Sequence, residues 1–209
     1  MTDSEDPSPF KWIGGNLSLD FNNTVDWKGL EPQAGEKLTD YGRLLEWARE
    51  GGVVNETNSR SLSAACRQHP TAAEEALENA LQARSLIHRM FFAALKDPEA
   101  VSMELDEWNH LLAESPAQVE YDDNQGRFTW TWQQQDQFTS LLRPVVWSAS
   151  QLLTSPDAAR VKTCANGDCG WLFLDTSRKR NRKWCEMAVC GNRAKARRFY
   201  HRSKGRTQR

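Results

Sequence analysis

The sequence predicts an α+β chain. A mainly helical front domain with one β-hairpin spans residues 10–155, and a small cysteine-bearing module of treble-clef-like or ribbon-like plan spans 160–205. Three observations predict this. Apolar residues recur at helical spacing through four segments between Tyr41 and Leu112. The period then shortens to two in Q-V-E-Y-D-D-N-Q-G-R-F-T-W-T-W, where Phe128, Trp130 and Trp132 alternate around a glycine-containing loop. Finally, Cys164, Cys169, Cys185 and Cys190 form two pairs of equal spacing close to the C-terminal end.

Taken in order, Leu17-Ser18-Leu19-Asp20-Phe21 alternates and predicts a short strand or extended segment between the turn residues Gly14-Gly15 and Asn22-Asn23. Thr39-Asp40 is an N-cap candidate for a helix whose face carries Tyr41, Leu44, Leu45 and Ala48 and which stops at Gly51-Gly52. Asn55 or Thr57 opens a second helix with Leu62, Ala65 and Cys66, ending near Pro70. Thr71 opens the longest helix, to about Lys96, with Leu77, Leu81, Ile87, His88, Phe91 and Leu95 at helical spacing. A fourth covers 100–113 with Leu105, Trp108, Leu111 and Leu112 inward. A last one covers roughly 135–154, and Pro144 inside it predicts a kink or break.

Charge divides the chain. Residues 161–209 hold 14 Lys and Arg against 3 Asp and Glu, a balance of +11; the first 160 hold 13 against 25, a balance of −12. A basic end on an acidic body is the footprint of a polyanion-binding module. No apolar run approaches the ~20 residues of a membrane span. The acidic start Met1-Thr2-Asp3-Ser4-Glu5-Asp6 lacks the pattern of a secretory signal, so a cytoplasmic location is expected. Thiols stay reduced there, which favours metal over two disulfides for the paired cysteines.

Two knuckles fifteen residues apart suit a closed four-thiolate zinc site. Between them, Gly170 to Leu174 reads as a strand, Asp175-Thr176-Ser177 as a turn, and Arg178 to Lys183, with five basic residues in six, as an exposed loop or the start of a returning strand. Asn192 is a favoured N-cap for the helix that follows Cys190. On that helix Ala196, Phe199 and Tyr200 fall on one side, which is expected to pack on Trp171, Phe173 and the metal site. The flanks are basic. The candidate nucleic-acid contacts are Arg178, Lys179, Arg180, Arg182 and Lys183 in the loop, and Arg193, Lys195, Arg197, Arg198 and Arg202 on the helix. The body up to Ser155 is expected to stay folded without the module.

Cys190-Gly191-Asn192-Arg193, with C-A-N-G-D-C-G-W-L-F-L-D-T-S-R before it and A-K-A-R-R-F-Y after it, closely resembles the CGNR zinc-finger family. The run Leu19, Asp20, Phe21, Asn23 and Thr24 resembles the opening of the ABATE domain that usually precedes that finger. Together the resemblances cover nearly the whole chain. They imply a bacterial-type, stress-induced transcription regulator that binds zinc.

Asp20, Asn23 and Thr24 form a candidate ligand-binding cluster with Trp12 and Trp27 as walls; side-chain-to-backbone caps are the alternative. The chain has no G-x-S-x-G, no H-E-x-x-H and no phosphate-binding glycine loop, and four thiolates close a zinc site, so no enzymatic activity is expected. The expected partner is double-stranded DNA; an RNA- or ribosome-associated role is the alternative, and aromatic rings exposed on the module would point to it. The sequence leaves a homodimer and a monomer equally open.

Overall fold

The computed structural model describes residues 8–33, 35–114, 116–123, 126–132 and 138–207, with Pro98, Asp122, Trp132 and 201–207 described by backbone alone. The chain starts with a short helix, α1 (Leu17–Asn22), where the alternating pattern predicted a strand. Asn16 caps it, accepting from the Ser18 N–H at 3.0 Å. Ser18, Leu19, Asp20, Phe21 and Asn22 are all buried, so both faces are covered and the alternation carries no information about period. A two-residue ribbon, β1 (Trp27–Lys28) with β2 (Glu31–Pro32), follows.

Four helices come next: α2 (Tyr41–Glu50), α3 (Glu56–Gln68), α4 (Pro70–Lys96) and α5 (Val101–Ala113). The Asp40 carboxylate caps α2 through the Arg43 N–H, and Asn55 caps α3 through Asn58. The long helix begins at Pro70, one residue before the expected Thr71, because proline at the first position gives up only an N–H that has no helical partner. α4 is the spine of the domain. Its 27 residues bury Ala73, Ala76, Ala80, Ala83, Ile87 and Phe91 at i, i+3/i+4 spacing against the neighbouring helices. In α5 Trp108 is buried as expected, whereas Leu105 faces outward.

The hairpin, β3 (Ala117–Asp122) with β4 (Arg127–Trp132), has the register Val119↔Trp130 and Tyr121↔Phe128. Part of its D-D-N-Q-G loop lies outside the described residues. The helix expected from about 135 is α6 (Arg143–Leu153), entered through a 3-10 turn at Thr139–Leu141; residues 133–137 lie outside the described residues. Pro144 marks the break and not a kink, because the 3-10 turn ends and α6 begins beside it. It sits in the first turn of α6, where its missing N–H costs nothing.

The C-terminal region holds β5 (Val161–Thr163) paired antiparallel with β6 (Leu172–Leu174), then a π-helical turn at Met187–Gly191 that runs into α7 (Asn192–Thr207). The helix therefore starts before Asn192. Its amide donates back to the Ala188 carbonyl at 2.9 Å instead of capping an N-terminus. The order is β5, first knuckle, β6, basic loop, second knuckle and α7, so the hairpin is formed around the first knuckle and not after it. Among the described residues no helix is long and apolar enough to cross a membrane.

The two regions share a core. Val161, Leu172 and Leu174 belong to the same apolar cluster as Leu19, Phe21 and Ile87. Val25 and Trp27 pack in turn with the four cysteines, Trp171 and Phe173.

Candidate metal centre and basic face

The first knuckle closes the β5–β6 hairpin and the second opens the turn into α7, so two elements of different kind aim two cysteines each at one point. The four Sγ atoms lie within 4.8 Å of one another, and all four residues are buried. Cys169–Cys185 and Cys185–Cys190 are each separated by 3.7 Å between sulfurs. A tetrahedral zinc with Zn–S bonds of about 2.3 Å requires sulfur–sulfur edges of about 3.8 Å, so the residues fit the ion. The proton chemistry agrees. Hydrogen bonds from Cys169 and Cys185 hold the Cys164 thiol far below its usual range, and Cys164 in turn pushes both of those thiols up. Four thiolates together therefore need a dication between them. Zinc bound here closes the fold as a structural ion with no open position.

A second layer of residues orients the ligands. Asn166, 1% exposed, donates to the Cys190 sulfur at 3.5 Å and accepts from the Arg197 guanidinium. Arg197 also binds Asp168 at 2.5 Å. Lys11, Lys37 and Arg193 line a cleft of about 180 Å³ against the cysteines together with Asp26, Asp168 and Glu186, and Lys11 is paired with Glu186. Gly170 has φ +65°, and a Cβ there would lie 2.4 Å from the Trp27 carbonyl oxygen, so only glycine lets this knuckle reach the front domain.

That contact is one of several. The Trp27 N–H donates to the Cys169 carbonyl at 3.0 Å, and the Trp171 indole donates to the Val25 carbonyl at 3.0 Å. Asn23 pairs with Leu172 as a strand would, accepting from its N–H at 3.0 Å and donating to its carbonyl at 2.8 Å. The Leu174 N–H donates to Gly14 at 2.7 Å.

The candidate ligand cluster makes contacts of the kind its alternative reading, side-chain-to-backbone capping, expects. Asp20 accepts the Gly14 N–H at 2.7 Å, Asn23 serves Leu172, and Thr24 donates to the Phe21 carbonyl at 2.8 Å while accepting from Arg84 at 2.7 Å. All three are buried and their side chains are spent on the protein itself, so they stitch the fold and line neither cleft. Trp27, expected as a wall, is fully buried and stacks on His88 at 3.8 Å. Trp12 stacks on Trp47.

Because Leu172 fixes the Asn23 amide, Asn22 must donate to the Asn23 oxygen and present its own oxygen to His88 Nδ1 at 3.0 Å. His88 Nε2 faces the Gly29 carbonyl at 2.9 Å. The neutral ring satisfies one of these acceptors and the imidazolium both. Burial nevertheless pushes its pKa down to about 4, against the pull of Gly29.

Burial pushes the Asp20 carboxyl the other way, up to about 6, although the Gly14 and Ile13 N–H groups oppose it. Its ionisation therefore weakens the fold: stability is full below the ordinary carboxylate range and falls as pH rises through about 6. Asp20→Asn keeps the acceptor without the charge. It should be more stable than the parent by about 1–3 kcal/mol at neutral pH, with the gain vanishing near pH ~4. Paired melts across this range check the sign.

The basic residues divide into two groups. Arg182 lies over the Phe173 ring at 4.3 Å and donates to the Trp184, Ile13 and Cys185 carbonyls. Arg182, like Arg197 on the first knuckle, makes hydrogen bonds that hold the fold, and Arg197 keeps a side chain 46% exposed. Arg178, Lys179, Arg180, Lys183, Arg193, Lys195 and Arg198 are exposed. Buried Asp175 pins their loop, accepting from Lys162 at 2.6 Å and from the Ser177 and Arg182 N–H groups at 3.0 Å. Burial raises its carboxyl, but these donors hold it well below the usual range. The Arg202 side chain lies outside the described residues. Phe199 and Tyr200 are 75% and 55% exposed, so the expected packing against Trp171 and Phe173 does not occur. Val25, Trp27 and Ile13 from the front domain occupy that place.

The family comparisons follow this geometry. The CGNR zinc-finger model matches residues 160–203, spanning all four cysteines. The ABATE model, described as "putative stress-induced transcription regulator", matches residues 15–156. The chain belongs to the ABATE family. Its zinc finger is of CGNR type, and the ABATE match starts inside the segment that the finger grips. No curated protein matches this ABATE chain.

Proposed function

We propose that this ABATE protein is a transcription regulator that binds double-stranded DNA through the basic face of its zinc finger, with the front domain sensing a small molecule. It acts by binding and carries out no reaction. One observation carries the reading: seven exposed cations on the pinned loop and the first turns of α7 have no acidic partner among the described residues. α7 offers 16 residues, about 24 Å of helix, with no acidic side chain, a size that a major groove admits.

Phosphate contacts release counterions, so affinity should fall steeply with salt. Lys179→Ala with Arg180→Ala should lower affinity on every duplex and reduce the salt slope by about 2. Arg193→Ala with Arg198→Ala should additionally blur sequence preference. Arg197 is left intact, because its loss acts through Asn166 and the zinc ligands. Unchanged salt slopes in both double variants would remove the basis of the reading.

The exposed Phe199 and Tyr200 favour a second reading, in which the finger stacks unpaired bases of RNA. Competition between duplex DNA, duplex RNA and single strands separates the two. Loss of single-strand binding in Phe199→Ala with Tyr200→Ala, and no preference for duplex DNA, would select RNA.

A further inference from the structure

α4, α5 and the start of α6 enclose a cleft of about 440 Å³, far from the zinc cluster and the basic loop. Volumes of about 300–1,000 Å³ are typical of small-molecule sites. Its floor is apolar, from Ala83, Leu86 and Leu142. Arg143 reaches it from the first position of α6.

Arg143 is 4% exposed, yet its Nη1 is buried without a hydrogen-bond partner, and no acidic group pairs with it among the described residues. The comparison with Arg84 is internal to the chain. Arg84 is equally buried, but its guanidinium holds Glu36 and Thr24. A buried guanidinium without a counter-charge is costly, so its retention at a cleft marks a place where an anion completes the site. The end of α6 adds to this, since it has no side-chain cap and no acidic residue in its first turn.

The opposite wall narrows the class of anion. Glu107 and Glu114 line the cleft from α5. Glu107 pairs with Arg89 and Glu114 lies 3.3 Å from His110, and neither is paired with Arg143. Their charge disfavours a dianionic phosphate, whereas a single carboxylate on an apolar body matches one guanidinium above an apolar floor. We propose that the α4–α5–α6 cleft is the front domain's ligand site and takes a small organic monocarboxylate, anchored by Arg143. This gives the proposed sensor its site and ligand class. It is tested on the free protein, so its failure and the failure of DNA binding are separate results.

The experiment uses the full-length, zinc-loaded chain, with benzoate as probe and benzamide and inorganic phosphate as controls. Benzoate should raise the melting temperature saturably and shift the Arg143 Nε–Hε resonance, with a Kd of about 1 mM or tighter. Benzamide and phosphate should do neither at the same concentration. Arg143→Met should bind benzoate at least about 10-fold more weakly and should itself melt no lower than the parent, because the unpaired charge has gone. The resonance shift is read in the parent protein, so the test holds even if the variant fails to fold. An equal response to benzamide or phosphate, a benzoate response that survives in Arg143→Met, or no Arg143 shift with benzoate overturns the proposal.

Discussion

Cys185→Ser should release the zinc, unfold the C-terminal module and lower the stability of the front domain with it. Binding of structural zinc in small fingers is worth about 10–16 kcal/mol at neutral pH, comparable to the whole stability of a typical domain. Around the metal the module's apolar residues are gathered on the four sulfurs, while Val161, Leu172 and Leu174 join the front domain's core, so the two regions should lose stability together. The front domain loses the cover over Val25 and Trp27, worth about 2 kcal/mol for each side chain. It also loses the partners of Asn23 and of the Trp27 N–H. Metal analysis should show no bound zinc, and the melt of the α1–α6 region should move down by several degrees. A front domain melting at the parent temperature would show that the two regions are energetically separate despite their shared core. Chelation of the intact protein should reproduce the effect.

Asn23→Asp should be the most damaging single-atom change outside the cysteines. The side chain keeps an oxygen for the Leu172 N–H but turns the group facing the Leu172 carbonyl from donor to acceptor. It also places a negative charge at a site 3% exposed. The lost hydrogen bond and the buried charge together cost about 3–4 kcal/mol. For a chain of this size that is a fall in Tm of about 6–16 °C. If Asn23 instead contacted a ligand, the variant would melt normally, so calorimetry of the ligand-free protein distinguishes the roles.

Much of this architecture was legible in the sequence for identifiable reasons. The cysteine spacing encodes its geometry directly, and α2 to α5 declare themselves through long helical periods and through Asp40 and Asn55 at their starts. The hairpin was readable from its alternation. What the sequence concealed was partnership across distance. Leu17–Asn22 looked like a strand because its covering elements come from α4, α6 and β6, so that both of its faces are buried. Asp20, Asn23 and Thr24 looked like a binding cluster because polar residues at a turn give no sign of a partner far along the chain. Phe199 and Tyr200 were assigned to the core because a helical wheel shows a face without showing what already fills the space beneath it. Arg197 and Arg182 read like their neighbours in the sequence, and distant partners such as the Asn166 amide and the Phe173 ring set them apart. Nothing local marked Arg143, since an arginine beside a proline reads as an ordinary helix start.

The pairing of Asn23 with Leu172 also has a consequence for synthesis. The two residues are 149 positions apart, and ribosomes add about 5–20 residues per second, so Asn23 waits roughly 7–30 s for its partner to be made. During that interval Val25 and Trp27 lack the contacts of Trp171, Phe173 and the cysteines, and the nascent front domain carries an apolar seam that only the last quarter of the chain can close. Metal supply therefore acts at the end of translation. A chain finished in zinc shortage is expected to keep that seam open.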